Sequence, residues 1–286
     1  MRLAQKFSAI MVIAVLLPSY HFANERRDFS LADCTETIGH LIDWRFDSKI
    51  TRAPVQYRIY LPPCYYATSK RYPYVILMSG NDGDETEWTE RLNADTIADT
   101  QITLQNLPPM VLVMPNGGTL MNMNAFFPLR SWETVVTDEL MPEVETAFCV
   151  QQYRDGRAIG GISRGGFWAF EIAFRHLDLF SAVGGHSPVF GQTDITPDID
   201  PLSLATTIEP NDPLRMWLDM GDQDISLPGV EQLYETLSNR QLDVTFNISP
   251  GGDHSDNYWR SHLGNYLEFY GLNWSKNVAD LPDCDK

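Results

Sequence analysis

Gly161-Ile162-Ser163-Arg164-Gly165 places a serine between glycines two residues to either side, and an apolar run follows it. A serine hydroxyl attacks a carbonyl well only when a base removes its proton and an acid orients that base. The chemistry to look for is acyl transfer, and it needs a histidine and a carboxylate from elsewhere in the chain. The setting adds weight to the spacing. AIG reads as a strand before the motif, and GFWAFEIAFRH reads as a helix after it. A sharp strand-to-helix turn strains the serine backbone and exposes its hydroxyl. Side chains at the two flanking positions would collide with the turn or with a neighbouring strand. The turn also sets backbone N–H groups at a helix N-terminus, where they can hold a developing negative charge.

Four histidines follow the serine: His176, His186, His254 and His262. His176 falls in the helix after the serine, and His262 falls in the last helix. His186 follows a strand at the correct end, so it stays a candidate. His254 is the preferred base, because its loop, PGGDHSDNYW, directly follows the last expected strand. For the acid, the strand 215–220 runs into GDQD, which offers Asp222 and Asp224. An acid must lie a few residues beyond the strand to reach back to the histidine. That favours Asp224 and leaves Asp222 as the alternative. Asp253 is a poor orienting acid because it adjoins His254. The oxyanion donors are expected to be the N–H groups of Arg164 and of Asn81, which follows Gly80 in the loop after strand 74–78. The Arg164 side chain reads as one half of a surface ion pair. Trp88, His186 and Trp259 are candidate substrate contacts. Phe126, Phe127 and Trp168 could join an aromatic pocket, although core packing is the commoner use of such residues.

These groups need a scaffold. Strands are expected at 56–61, 74–78, 110–114, 158–162, 180–184, 215–220 and 244–248. Helices are expected at 132–148, 165–176, 230–240 and 258–270. Apolar runs without period-two alternation mark strands buried on both faces. Their alternation with helices predicts a mostly parallel sheet with helices on both sides, and sites gather at the carboxyl ends of such strands.

The 286 residues carry a formal net charge of −17. That much acid disfavours nucleic acid and anionic membranes as partners. Arg2 and Lys6 precede the apolar run 7–17, which ends at Pro18. The run is shorter than the roughly 20 residues of a spanning helix. Residues 1–23 are therefore expected to be a signal peptide, with an uncleaved anchor as the alternative, and 24–286 a single secreted domain. Cys34, Cys64, Cys149 and Cys284 match no zinc spacing. In an exported chain they suggest disulfides. Of the three pairings, Cys34–Cys64 with Cys149–Cys284 is preferred: the first would close a sheet edge and the second would tie down the tail.

Several segments, in order, resemble the putative-esterase family of α/β-hydrolases: YRIYLPPCYY, RYPYVILMSGNDGDETEW, VLVMPNGG, the block around Ser163, WLDMGDQD and ISPGGDHSDNYW. That family includes feruloyl esterases, S-formylglutathione hydrolases and mycolyl transferases. The resemblance covers roughly 57–270. It implies an α/β-hydrolase fold, no metal or cofactor, a small-molecule or carbohydrate ester as substrate, and Ser163, Asp224 and His254 as nucleophile, acid and base. The loop MSGN departs from the family, where many members carry a histidine before the glycine, and Asp253 is an extra acid. An acyltransferase using the same three residues and a non-catalytic carbohydrate-binding relative are the alternatives.

Overall fold

The computed structural model describes residues 34–122, 130–191, 195–210 and 213–285. The expected signal segment 1–23, Phe126 and Phe127 lie outside them. The described residues build one eight-stranded sheet: β1 (His40–Asp47), β2 (Pro54–Leu61), β3 (Tyr74–Met78), β4 (Val111–Pro115), β5 (Arg157–Ile162), β6 (Ala182–His186), β7 (Arg215–Gly221) and β8 (Val244–Ser249). The spatial order is β1-β2-β4-β3-β5-β6-β7-β8. β2 is antiparallel to both β1 and β4, and the pairs from β4 through β8 are parallel.

Among the described residues eight α-helical segments accompany the sheet: α1 (Ala94–Thr103), α2 (Gly118–Asn122), α3 (Trp132–Thr134), α4 (Met141–Ala147), α5 (Arg164–Arg175), α6 (Pro201–Leu204), α7 (Leu227–Asn239) and α8 (Asp256–Gly271). The four central strands are buried from end to end, and their alternate side chains enter two separate cores. Tyr74, Ile76 and Met78 of β3 join the core formed with α3 to α5 and α7. Val75 and Leu77 join the core formed with Trp88, α1 and α8. An apolar strand without alternation is thus a strand with a helix layer on each face.

Several elements differ from the expectation. The single helix 132–148 is broken into α3, a π-helical turn (Val135–Leu140) and α4. Pro142 is the physical reason, since it lacks an N–H and crowds the carbonyl four residues back. The strand expected at 180–184 runs instead from Ala182 to His186. Its glycines leave room for a ring: a Cβ on Gly184 would lie 2.3 Å from the Tyr270 hydroxyl. β1 and α1 were not expected. β1 is an edge strand of mixed polarity and α1 is mostly polar, so neither carries a strong apolar signal.

Both disulfides form as expected, Cys34–Cys64 and Cys149–Cys284. The first joins the segment before β1 to the turn after β2. The second closes a sequence separation of 135 residues and anchors the tail. Among the described residues no helix is long and apolar enough to cross a membrane.

One buried acid opposes this packing. Glu171, on α5, is wholly buried, and neither carboxylate oxygen has a hydrogen-bond partner. Arg175 Nε lies 3.3 Å away but approaches Glu133 more closely, at 2.8 Å. Burial, reinforced by the Glu133 charge, pushes the Glu171 carboxyl well above its ordinary value. The native state therefore holds a proton that the unfolded chain releases. Stability from this group is present below the unfolded carboxyl pKa of about 4.3 and is lost as pH rises toward the higher native value. Glu171→Gln should raise the melting temperature more at pH 8 than at pH 5. Thermal melts at the two pH values check this, and a gain that does not grow with pH would contradict it.

Candidate active site

β5 ends at Ile162 and α5 begins at Arg164, so Ser163 alone makes the turn between them. Its backbone sits at φ 52°, ψ −115°, a conformation that costs about 1–3 kcal/mol for a residue with a side chain. Three hydrogen bonds hold it there. The Ser163 N–H donates to the His186 carbonyl (2.9 Å), and the Ser163 carbonyl accepts from the N–H groups of Phe167 (3.2 Å) and Val189 (3.3 Å). The flanking glycines are required by space. A Cβ on Gly161 would lie 2.4 Å from the Gly165 carbonyl carbon, and a Cβ on Gly165 would lie 2.4 Å from the Met78 carbonyl oxygen.

The loops after β7 and β8 bring two more groups to this turn. His254 Nε2 lies 2.9 Å from Ser163 Oγ, and His254 Nδ1 lies 2.8 Å from Asp224 Oδ2. The Asp224 side chain is fully buried, while that of His254 keeps 29% of its surface exposed. Burial alone would raise the Asp224 carboxyl. Hydrogen bonds from His254, from the Ser226 N–H (2.8 Å) and from the Ser187 hydroxyl outweigh it and hold the group below its ordinary value. Asp224 is thus a fixed anion that orients the imidazole.

Asp222, the alternative acid, accepts the Gly251 N–H at 2.8 Å. It pins the loop that carries the histidine. The two loops touch so closely that a Cβ on Gly221 would lie 2.0 Å from the Gly252 carbonyl carbon. Asp253 accepts from the Ser255 hydroxyl at 2.5 Å. Of the other histidines, His176 bonds Glu133 at 2.7 Å and His262 bonds Ser249 at 3.0 Å.

The loop after β3 passes beside the serine: a Cβ on Gly80 would lie 3.8 Å from Ser163 Cβ. The Gly80 N–H is already engaged, donating to Glu87 Oε2 at 2.7 Å. Asn81 is the next donor along this loop. Glu87 is itself held by Arg91 at 2.6 Å, so a buried carboxylate fixes the loop at the elbow.

The aromatic and histidine candidates separate by burial. Trp88 and His186, expected at the substrate, have no exposed surface. Trp88 Nε1 donates to the Met78 carbonyl at 3.2 Å. His186 lies between Asp219 (Nδ1 to Oδ1, 2.6 Å) and the Tyr270 hydroxyl (2.9 Å to Nε2), with Tyr266 stacked at 3.5 Å. Both residues serve the packing beneath the site and do not line it. Trp168 is also buried and donates to the Met121 carbonyl. Trp259 borders a cleft beside His254, with the two rings edge to face at 5.0 Å. Its Nε1 donates to Ser187 Oγ at 3.1 Å. Ser187 and Asp219 were missed from sequence. A carboxylate inside the apolar strand 215–220 was the available signal for Asp219, and Ser187 had none.

Two clefts flank His254. One, of about 470 Å³, is polar and includes Arg91, Asp256, Trp259 and Arg260. The other, of about 400 Å³, includes Val189, Phe190, Ile225 and Pro228. A further cavity of about 460 Å³, beside the start of β2 and the segment after β4, contains none of the three relay residues.

These contacts separate the two acids by experiment. Asp224→Asn should slow labelling of Ser163 by a fluorophosphonate by on the order of 10³-fold or more, because the imidazole loses its orienting anion. Asp222→Asn removes only a loop contact and should slow labelling by about tenfold at most. Labelling rates of the two variants check this, and the reverse order would make Asp222 the orienting acid.

The chain is similar to known proteins along most of its length. The sequence pattern of the family described as putative esterase matches residues 48–270. An esterase of Mycobacterium tuberculosis is 28% identical over 161 residues, covering 55% of this chain and 34% of its own. An endo-1,4-beta-xylanase/feruloyl esterase of Xylanibacter ruminicola is 27% identical over 235 residues, covering 79% of this chain and 30% of its own. The chain thus spans about a third of the length of these two relatives. Among solved structures, a ferulic acid esterase superposes with a TM-score of 0.73 at 24% identity, covering 82% of this chain and 98% of that one. An S-formylglutathione hydrolase from Agrobacterium tumefaciens gives 0.70 at 17% identity, covering 84% and 98%. The α/β-hydrolase fold expected from the sequence is the fold observed. With its matched segment running from the turn after β1 to α8, the chain belongs to the putative-esterase family of α/β-hydrolases.

Proposed function

We propose that this chain is a secreted serine esterase that hydrolyses acyl esters. The observation that carries the reading is the relay from Asp224 through His254 to Ser163, at 2.8 and 2.9 Å, on a strained strand-to-helix turn. Ser163 Oγ attacks the ester carbonyl carbon while His254 Nε2 takes its proton. The carbonyl oxygen becomes an oxyanion between the N–H groups of Arg164 and Asn81. The C–O bond to the alcohol then breaks, and the departing oxygen takes the proton from His254. Water attacks the acyl-serine by the same path in reverse and releases the acid. Asp224 keeps its charge throughout and stabilises the imidazolium.

The names of the relatives support an ester substrate, and the xylanase-linked one supports an alcohol half attached to carbohydrate. The two disulfides and the expected signal segment support export, since disulfides persist in oxidising compartments.

Ser163→Ala should lower hydrolysis of a short chromogenic ester by on the order of 10⁶-fold while leaving the fold intact. Equal rates in both proteins would remove Ser163 from the mechanism. Glu87→Ala should act on turnover rather than on binding, because Glu87 fixes the loop that presents the Asn81 donor. A fall in kcat of about 10²-fold with little change in KM is expected. Steady-state kinetics on the same ester check this, and a rise in KM at constant kcat would contradict it.

A further inference from the structure

Two side chains beside the elbow take no part in the reaction above. Arg164 does not form the surface ion pair expected from sequence among the described residues: its Nη1 is sealed from solvent and has no hydrogen-bond partner. Ser187, directly after β6, is wholly buried and fully engaged.

The backbone of Ser187 is the first observation. Among the described residues, seven that are not glycine have a left-handed backbone. Five of them, Arg52, Cys64, Asn93, Gln105 and Gln241, are exposed or half-exposed. The two buried ones are Ser163, at φ 52°, and Ser187, at φ 49°. Glycine adopts this conformation without steric cost. A residue with a Cβ persists there only where its surroundings impose it, and such residues gather at functional sites. The Ser187 N–H is tied to the Asp219 carbonyl at 2.8 Å.

The partners of the hydroxyl fix its direction. An indole N–H can only donate, and that of Trp259 reaches Ser187 Oγ at 3.1 Å. An ionised carboxylate can only accept, so the Ser187 proton goes to Asp224. Asp224 in turn holds His254 through Oδ2 at 2.8 Å and the Ser226 N–H through Oδ1 at 2.8 Å. The Ser187 hydroxyl is a third donor, and it keeps the carboxylate from turning away from the imidazole. Trp259 braces both ends of this arrangement, since its ring also meets His254 edge to face at 5.0 Å. The contacts run in series from Trp259 through Ser187, Asp224 and His254 to Ser163.

We propose that Ser187 is a positioning residue for the hydrolysis: its hydroxyl, aimed by Trp259, sets the Asp224 carboxylate against His254, and a strained backbone is kept there for the sake of that hydroxyl. The proposal rests on the reading of Ser163, His254 and Asp224 as the hydrolytic relay. It gives Trp259 a part in that relay through its N–H, where the sequence suggested a substrate contact.

Two variants separate the hydroxyl from the backbone. Ser187→Ala removes the hydroxyl and keeps the strain, whereas Ser187→Gly removes both. Each should lower kcat on the chromogenic ester by about 10- to 100-fold, the worth of a hydrogen bond to a charged group, with KM changed by about twofold at most. Fluorophosphonate labelling of Ser163 should slow by the same factor. Ser187→Gly should nevertheless melt at a higher temperature than Ser187→Ala, because glycine relieves the backbone. Rate and stability then part, which a merely structural role would not allow. Trp259→Phe keeps a ring and loses the N–H. It should slow labelling by about 3- to 10-fold in the wild-type protein and add little in Ser187→Gly, where the hydroxyl it aims is gone. Wild-type labelling in Ser187→Gly would overturn the proposal, as would a loss carried by KM at constant kcat. A Ser187→Gly rate that recovers along with its stability would make the role structural. An equal cost of Trp259→Phe in both backgrounds would remove Trp259 from the series and overturn the proposal as stated. If the wild-type protein neither labels at Ser163 nor hydrolyses any ester, the underlying reading fails instead.

Discussion

The left-handed backbone at Ser163 is the constraint around which the site is arranged. One residue turns the chain from the central strand of a parallel sheet into a helix. The turn survives because both sides of it are clamped. β6 supplies the carbonyl that accepts the Ser163 N–H, and the segment after β6 returns a donor to the Ser163 carbonyl. Gly165 lets α5 approach the end of β3 to a distance at which any side chain would strike the Met78 carbonyl. The same approach brings the loop carrying Asn81 beside Ser163. Strain at the elbow and the approach of the loop after β3 are thus one geometric fact.

A second constraint lies beneath the first. Asp219, within β7, is almost wholly buried and yet accepts from four groups: His186, Trp217, Tyr258 and Tyr266. A buried carboxylate is tolerable only with such a set of donors. Two of them, Tyr258 and Tyr266, belong to α8, the helix that follows His254 directly. The buried Asp219 carboxyl in β7 therefore fixes where α8 begins and so where the histidine loop can hang. Trp259 on the same helix reaches Ser187, whose hydroxyl supports Asp224. The imidazole is held from its own loop, from the Asp224 loop and from the floor of the sheet.

Sequence alone revealed the parts of this design that are local. The flanking glycines, the strand before Ser163 and the helix after it are close neighbours in the chain, so their pattern identifies the turn. His254 and Asp224 follow apolar strands directly, and parallel topology brings such positions to one edge. The contacts missed from sequence join residues far apart. Asp219 lies 33 positions from His186 and 47 from Tyr266. No periodicity or composition signals such a partner. His186 and Trp88 were misassigned for a related reason: a polar or aromatic residue near a strand end reads the same whether it faces a substrate or a buried carboxylate. The broken helix after Ser131 was legible in principle, since Pro142 stands in the middle of its apolar pattern.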